Sequence, residues 1–142
     1  MEIVFSTEKE HLEFLDKGLD KFNHAYIPVK QLKDFGFFCK DGDRIIGGVN
    51  GVLNVGYWAK IDMFYVDDEF RGRDIGTRLM NEVEKFARQN LCIGIYLSTW
   101  DWQAKGFYEK MGFSVFGVLN NSPKVGSTKY EMKKEFAINR LP

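Results

Sequence analysis

The stretch Phe70-Arg-Gly-Arg-Asp-Ile-Gly-Thr77 holds two glycines and two arginines between a strand-like run and a helix-like one. In a strand-to-helix turn, the first main-chain N–H groups of the helix lack internal partners and converge where the helix dipole favours an anion. Gly72 and Gly76 let the backbone come close to such a ligand, and Arg71 and Arg73 add charge and donors. The chemistry this predicts is a phosphate cradle. An ordinary glycine-punctuated turn is the alternative reading of the same residues. No Lys-Ser or Lys-Thr follows the glycine, which excludes a Walker-type loop, and the Gly-x-Gly-x-x-Gly dinucleotide pattern is also missing. Cys39 and Cys92 lie in separate apolar runs, and His11 and His24 have no serine, cysteine or carboxylate at triad spacing. No metal site is expected from them.

The elements that must position this turn alternate along the chain. Ile3 to Phe5 reads as a short strand, with Ser6 or Thr7 capping a first helix whose Leu12, Leu15, Leu19 and Phe22 recur at three and four as a stripe to be buried. Pro28 stops that pattern. Residues 34–40 and 44–53 form a hairpin about Asp41-Gly42-Asp43. A long strand at 57–66 leads into the turn, and Leu79, Met80, Val83, Phe86 and Ala87 share one face of the helix that follows. With a strand at 92–99 this makes a strand-helix-strand unit, whose two strands should be parallel. A helix at 102–110 and strands at 114–119 and 129–136 complete a mixed α/β pattern.

Composition narrows the class. At 142 residues, 44% hydrophobic, the chain can bury one substantial core and is too short for two ordinary domains, so residues 1–142 are expected to form a single domain. The 20 lysines and arginines balance 20 aspartates and glutamates, so nucleic acid and anionic membrane are not expected partners. The amino-terminal segment lacks a basic region followed by a long apolar run, which makes a cytoplasmic location the expectation.

The segment Phe64-Tyr-Val-Asp-Asp-Glu-Phe-Arg-Gly-Arg-Asp-Ile-Gly76 resembles the Arg/Gln-x-x-Gly-x-Gly/Ala signature of the GNAT superfamily of acetyl-coenzyme A dependent N-acetyltransferases, matching at Arg71 and Gly76. A second block, Gln103-Ala-Lys-Gly-Phe-Tyr-Glu-Lys-Met-Gly-Phe113, is similar to that family's Ala-x-x-Phe/Leu-Tyr-Glu-Lys-x-Gly-Phe segment and follows in the right order. The resemblance implies a twisted mixed sheet of six to seven strands flanked by three to four helices, with a splayed parallel pair at the cofactor cleft. It implies acetyl-coenzyme A as cosubstrate and no metal. The pantetheine arm would lie like an added strand along backbone near Phe64 and Val66, Phe107 would line the site, and the pyrophosphate would rest on Arg71, Gly72, Arg73, Asp74, Ile75, Gly76 and Thr77. Asp74 stands where the family usually has its first motif glycine. A carboxylate there must turn away from the diphosphate, as a helix cap would, and aspartate tolerates unusual backbone angles.

In the same family the tyrosine of the second block acts as general acid to the departing thiolate, which makes Tyr108 the expected catalytic residue. A thiol near pKa 8.5 and a phenol near 10 would need only modest tuning for that transfer. Asp62 shares a face with Phe64 and Val66 by period-two alternation and is a candidate base, with an ion pair to Lys60 or Arg44 as the alternative. Trp58, Trp100 and Asp101 are candidate acceptor-binding residues, since aromatic faces and a carboxylate enclose cationic amines; Asp101 could instead cap the following helix. The expected activity is acetyl transfer to a primary amine of a small molecule or peptide by direct attack in a ternary complex. A catalytically silent coenzyme A binding module is the other reading, and a homodimer is common among such domains. The stretch from Trp100 through Gln103-Ala to Phe116-Gly-Val-Leu119 and Lys129-Tyr-Glu-Met-Lys-Lys134 resembles small bacterial members of the family.

Overall fold

The computed structural model describes residues 1–26, 33–54 and 57–137, the side chain of Asn54 excepted. The chain divides into two compact units, residues 1–30 and 31–142. In the first, helix α1 (Lys9–Asn23) forms from the expected periodic stretch, and none of its residues is buried. Ile3 to Phe5 forms no strand, contrary to expectation, because three residues gain too few ladder bonds to hold an extended run without a neighbour. Ser6 does not occupy the cap position, which falls on Glu8; its hydroxyl instead accepts the Glu8 N–H (3.1 Å) and pairs with His11. Pro28 lies outside the described residues.

The second unit is a six-stranded mixed sheet carrying helices α2 (Ile75–Gln89) and α3 (Lys105–Lys110). The strands are β1 (Lys33–Asp41), β2 (Arg44–Asn54), β3 (Trp58–Val66), β4 (Gly94–Trp100), β5 (Ser114–Asn120) and β6 (Thr128–Glu135), in the spatial order β1-β2-β3-β4-β6-β5. Only β3 and β4 run parallel, as the strand-helix-strand pattern requires; all other neighbours are antiparallel. α2 lies against β1 to β4. It buries Ile75, Leu79, Met80, Val83 and Ala87 on Val49, Ala59, Ile61, Ile95, Leu97 and Met132, the inward side chains of alternate strand positions.

The far side of α2 is tied to β6 by charge. Glu84 accepts from Lys134 Nζ (2.9 Å) and from Arg88 (3.0 Å), and the Arg88 guanidinium lies 4.1 Å from the Phe136 ring centre. Burial pushes the Glu84 carboxyl up, but the hydrogen bonds and charges of Lys134 and Arg88 outweigh it and hold the group below its ordinary value. The stability from this lowered value is therefore present above the ordinary carboxylate range and lost as pH falls through the folded-state value. Glu84→Gln is expected to cost about 1 kcal/mol, or roughly 3–4 °C in Tm, at neutral pH. In melts recorded at decreasing pH the gap between the two proteins should close; a constant gap would remove the ion pair as its cause.

A candidate active-site cleft between β3 and β4

Two features of β2 and β3 open the sheet. The parallel ladder joins Trp58–Lys60 to Gly94–Tyr96 and goes no further, so Ile61 to Val66 leave β4 while still paired to β2. Beside the point of divergence the register shifts: Gly51 faces Ile61 and Asn50 faces Met63, so Asp62 is the extra residue of a β-bulge. The Met63 N–H is satisfied by the Asn50 side chain (3.0 Å). Gly51 makes this geometry possible, because a Cβ there would sit 2.0 Å from the Lys60 carbonyl oxygen.

The bulge corrects the expected placement of Asp62. Without it, Asp62 would share a face with Phe64 and Val66; with it, Phe64 and Val66 join the packed face and Asp62 stays exposed, 3.6 Å from Lys60. Trp58 is not brought to the open side. It lies on the closed side of the divergence, over Gly94 and edge-on to Tyr96 (6.1 Å), and six strand residues, about 20 Å, separate it from Phe64.

Three elements meet at the open side. Phe64 of β3 packs on Phe107 (5.7 Å) and Tyr108 (6.2 Å) of α3, and a Cβ on Gly76, in the first turn of α2, would touch Phe107 at 3.4 Å. Tyr108 is 7% exposed, edge-on to Phe64, Phe107 and Phe113. That burial pushes its phenol up to about 12, in place of the near-ordinary value expected from sequence.

The turn between β3 and α2 contains a short 3₁₀ segment (Asp68–Phe70) and two left-handed residues, Gly72 (φ 76°) and Asp74 (φ 61°). The Asp67 N–H bonds Ile46 O (2.8 Å), and Arg44 reaches Asp67 and Glu69, which anchors the turn to β2. The first hydrogen bond of α2 is Arg78 N–H to Asp74 O (3.0 Å). Among the described residues, no acceptor meets the main-chain N–H groups of Gly72, Arg73, Asp74, Ile75, Gly76 or Thr77. Asp74 holds the cap position yet makes no cap hydrogen bond, since capping side chains work from an extended backbone and Asp74 is left-handed. Arg71 is already engaged: Nε donates to Val66 O (3.1 Å) and the guanidinium pairs with Asp68 (2.9 Å). Arg73 lies over the Phe70 ring (5.2 Å) with no carboxylate in ion-pair reach among the described residues.

Trp100 and Trp102 stack (5.6 Å, 18°) at the end of β4, and the Trp100 indole N–H is buried with no acceptor among the described residues. Asp101 neither caps α3 nor stands free. It accepts the Thr128 N–H (3.3 Å) and returns its own N–H to Thr128 O (3.0 Å). A separate groove of about 220 Å³ between β1 and α2, lined by Phe37, Cys39, Ile75, Arg78 and Leu79, includes none of these rings. Asn50 and Gly51 are the site-shaping residues that sequence reasoning missed; the signal was three glycines within the strand Ile45-Ile-Gly-Gly-Val-Asn-Gly51.

The sequence profile of the Acetyltransferase (GNAT) family matches residues 4–113. Blasticidin-S acetyltransferase of Streptomyces morookaense is 33% identical over 100 residues, 70% of this chain and 72% of that one. An acetyltransferase from Bacillus cereus superposes with a TM-score of 0.84 at 27% identity, covering 96% of this chain and 99% of the other. The fold is shared as well with an aminoglycoside 6'-N-acetyltransferase complexed with coenzyme A (TM-score 0.69, 21% identity, 93% and 88% covered).

Proposed function

The chain belongs to the GNAT family of acetyltransferases, and from that premise we propose that it moves the acetyl group of acetyl-coenzyme A to a primary amine of a small molecule or peptide, within a ternary complex. Residues 1–142 are read as one domain for this purpose. The observation that carries the reading is the run of six main-chain N–H groups, Gly72 to Thr77, that meet no acceptor among the described residues, at the mouth of the diverging β3–β4 pair. These donors fit a diphosphate. Arg73, with no carboxylate in ion-pair reach among the described residues, is a cation that could join them, while Arg71 would have to release Asp68 or act by holding the turn. The open edge of β3 from Ile61 to Val66 is suited to a pantetheine arm lying as an added strand.

Tyr108 and Asp62 take different tasks. A proton passing fully from a phenol at about 12 to a thiolate whose acid has a pKa near 8.5 would climb roughly 5 kcal/mol. Tyr108 therefore serves as a neutral hydrogen-bond donor to the departing sulfur, a role for which a firmly held proton is an advantage. Asp62, on the exposed face at the bulge, is the carboxylate proposed to receive the proton lost by the attacking amine, exchanging Lys60 for it. The Trp100–Trp102 stack, one ring of which is 57% exposed, offers a flat wall for the acceptor, and Asp101 holds that wall to β6. The antibiotic amines named for related acetyltransferases make small-molecule amines the first acceptors to try.

Asp74 in the turn favours one other reading, a coenzyme A binding module without turnover. Thermal shift with coenzyme A, followed by thiol release from acetyl-coenzyme A across an amine panel, separates the two. Saturating ligand at about 100 times Kd should add roughly 2.7 kcal/mol to the stability of the native protein. Asp74→Gly should retain binding and raise Tm slightly, since glycine enters the left-handed region without cost. Binding gained only in Asp74→Gly, from none in the native chain, would mean that the native turn has lost its ligand. Binding without thiol release for any amine would favour the silent module.

A further inference from the structure

The ladder between β3 and β4 ends at Tyr96, so Ser98 and Trp100 lie on the length of β4 that borders the open side of the cleft. Their side chains point away from α2, because Ile95, Leu97 and Thr99 are the buried positions of the strand. Directly opposite them on β6 stand Glu131 and Lys129, on the same outer face. The four side chains are joined. Ser98 Oγ donates to Glu131 Oε2 (2.5 Å), Lys129 Nζ pairs with Glu131 Oε1 (3.2 Å), and the same ammonium lies 5.6 Å from the Trp100 ring centre.

A carboxylate beside an indole face attracts an ammonium or guanidinium by its charge and by the ring's quadrupole together. The Lys129 ammonium is such a cation, carried there by the chain's own flexible stem. The side chains of Lys129 and Glu131 are 29 and 32% exposed, so the pair is partly shielded yet open to a ligand. On its β5 side Glu131 faces Gly117, where a Cβ would already touch it at 3.4 Å, so the missing side chain keeps that approach clear. Trp100 in turn stacks on Trp102, the wall offered to the acceptor. Resting on the transferase reading above, we propose that Ser98, Trp100 and Glu131 form a subsite for a second cation of the acceptor, that Lys129 is the placeholder it displaces, and that the preferred acceptors are diamines or amino-guanidines. The amine to be acetylated then meets Asp62 on β3, while the second cation is held by β4 and β6 on the other bank of the divergence. Ser98 fixes one Glu131 oxygen and leaves the other to exchange Lys129 for the ligand.

A tethered ammonium competes with a ligand as a high local concentration of cation, and the apparent affinity falls by the fraction of time the subsite is filled. The two partners should therefore respond to substitution with opposite signs. Calorimetric titration of the native protein with cadaverine and with agmatine should give affinities about 10-fold or more above that of pentylamine, which carries one cation. Glu131→Gln should bring the three ligands to about one affinity. Lys129→Met vacates the subsite and should tighten cadaverine and agmatine by a further factor of about 5–10, with pentylamine little changed. A lysine that only braced β6 would weaken binding when removed, or leave it alone, so Lys129→Met without a gain in affinity for the two dications overturns the proposal. Equal binding of dications and monoamine by the native protein overturns it as well. Neither titration uses coenzyme A, so these results stand apart from an absent coenzyme A thermal shift, which would retire the transferase reading itself.

Discussion

Tyr108→Phe is expected to lower kcat for acetyl transfer by about 100-fold or more, with the dissociation constant for coenzyme A unchanged. The ring makes all the contacts that hold this position: it is buried edge-on among Phe64, Phe107 and Phe113, and phenylalanine keeps every one of them. What is removed is one hydroxyl donor at the proposed site of the sulfur. Because burial raises this phenol to about 12, the donor stays protonated throughout the ordinary working range, so no alkaline loss of native activity below about pH 10 should trace to it. The stability consequence has a definite sign. A raised folded-state value contributes stability that is whole below about pH 10, where free tyrosine titrates, and is lost as pH rises towards about 12. Melts of the native protein should therefore fall more steeply than those of Tyr108→Phe above pH 10. Equal kcat in the two enzymes would retire the donor role, leaving Tyr108 as packing.

The second large effect concerns a residue that touches no substrate. Gly51→Ala is expected to destabilise the fold by about 3 kcal/mol or more, lowering Tm by roughly 10 °C. The added methyl would lie 2.0 Å from the Lys60 carbonyl oxygen, 2.8 Å from the Phe35 ring and 3.0 Å from Ile61 Cα. Two of those three neighbours are backbone, so relief requires moving the strand at its bulge rather than turning a side chain. Since the same bulge sends Phe64 and Val66 to the packed face, any protein that does fold should also lose affinity for coenzyme A. A calorimetric Tm within 2 °C of native would show that the strand yields easily there, contrary to this account.

The strand-helix-strand unit was legible because both of its signals are local: apolar spacing on α2 and a glycine-rich turn before it. The two motif blocks likewise led to residues that the fold brings together, with Gly76, Phe64, Phe107 and Tyr108 converging from three elements. The bulge was not legible. A one-residue shift at Asp62 follows from how β3 pairs with β2, and strand alternation read from one segment cannot register a choice made with its neighbour. The distance of Trp58 from the cleft was equally illegible, since it depends on where the parallel ladder stops. The raised phenol of Tyr108 comes from rings on other elements, Phe64 and Phe113 among them, which no local pattern foretells.

The short parallel ladder has a mechanical consequence. Among the described residues, three paired positions, Trp58–Lys60 with Gly94–Tyr96, and the adjoining Ile93 N–H to Tyr57 O bond stitch β1-β2-β3 to β4-β6-β5 within the sheet, so the structure behaves as two leaves on a narrow seam, with α2 as the clasp laid across it. Stiffness against opening of the leaves then resides mostly in the apolar face of α2, where Met80 and Val83 are wholly enclosed. A guest lying along the free margin of β3 would lengthen that seam, and so would brace the protein far from the atoms where its own chemistry occurs.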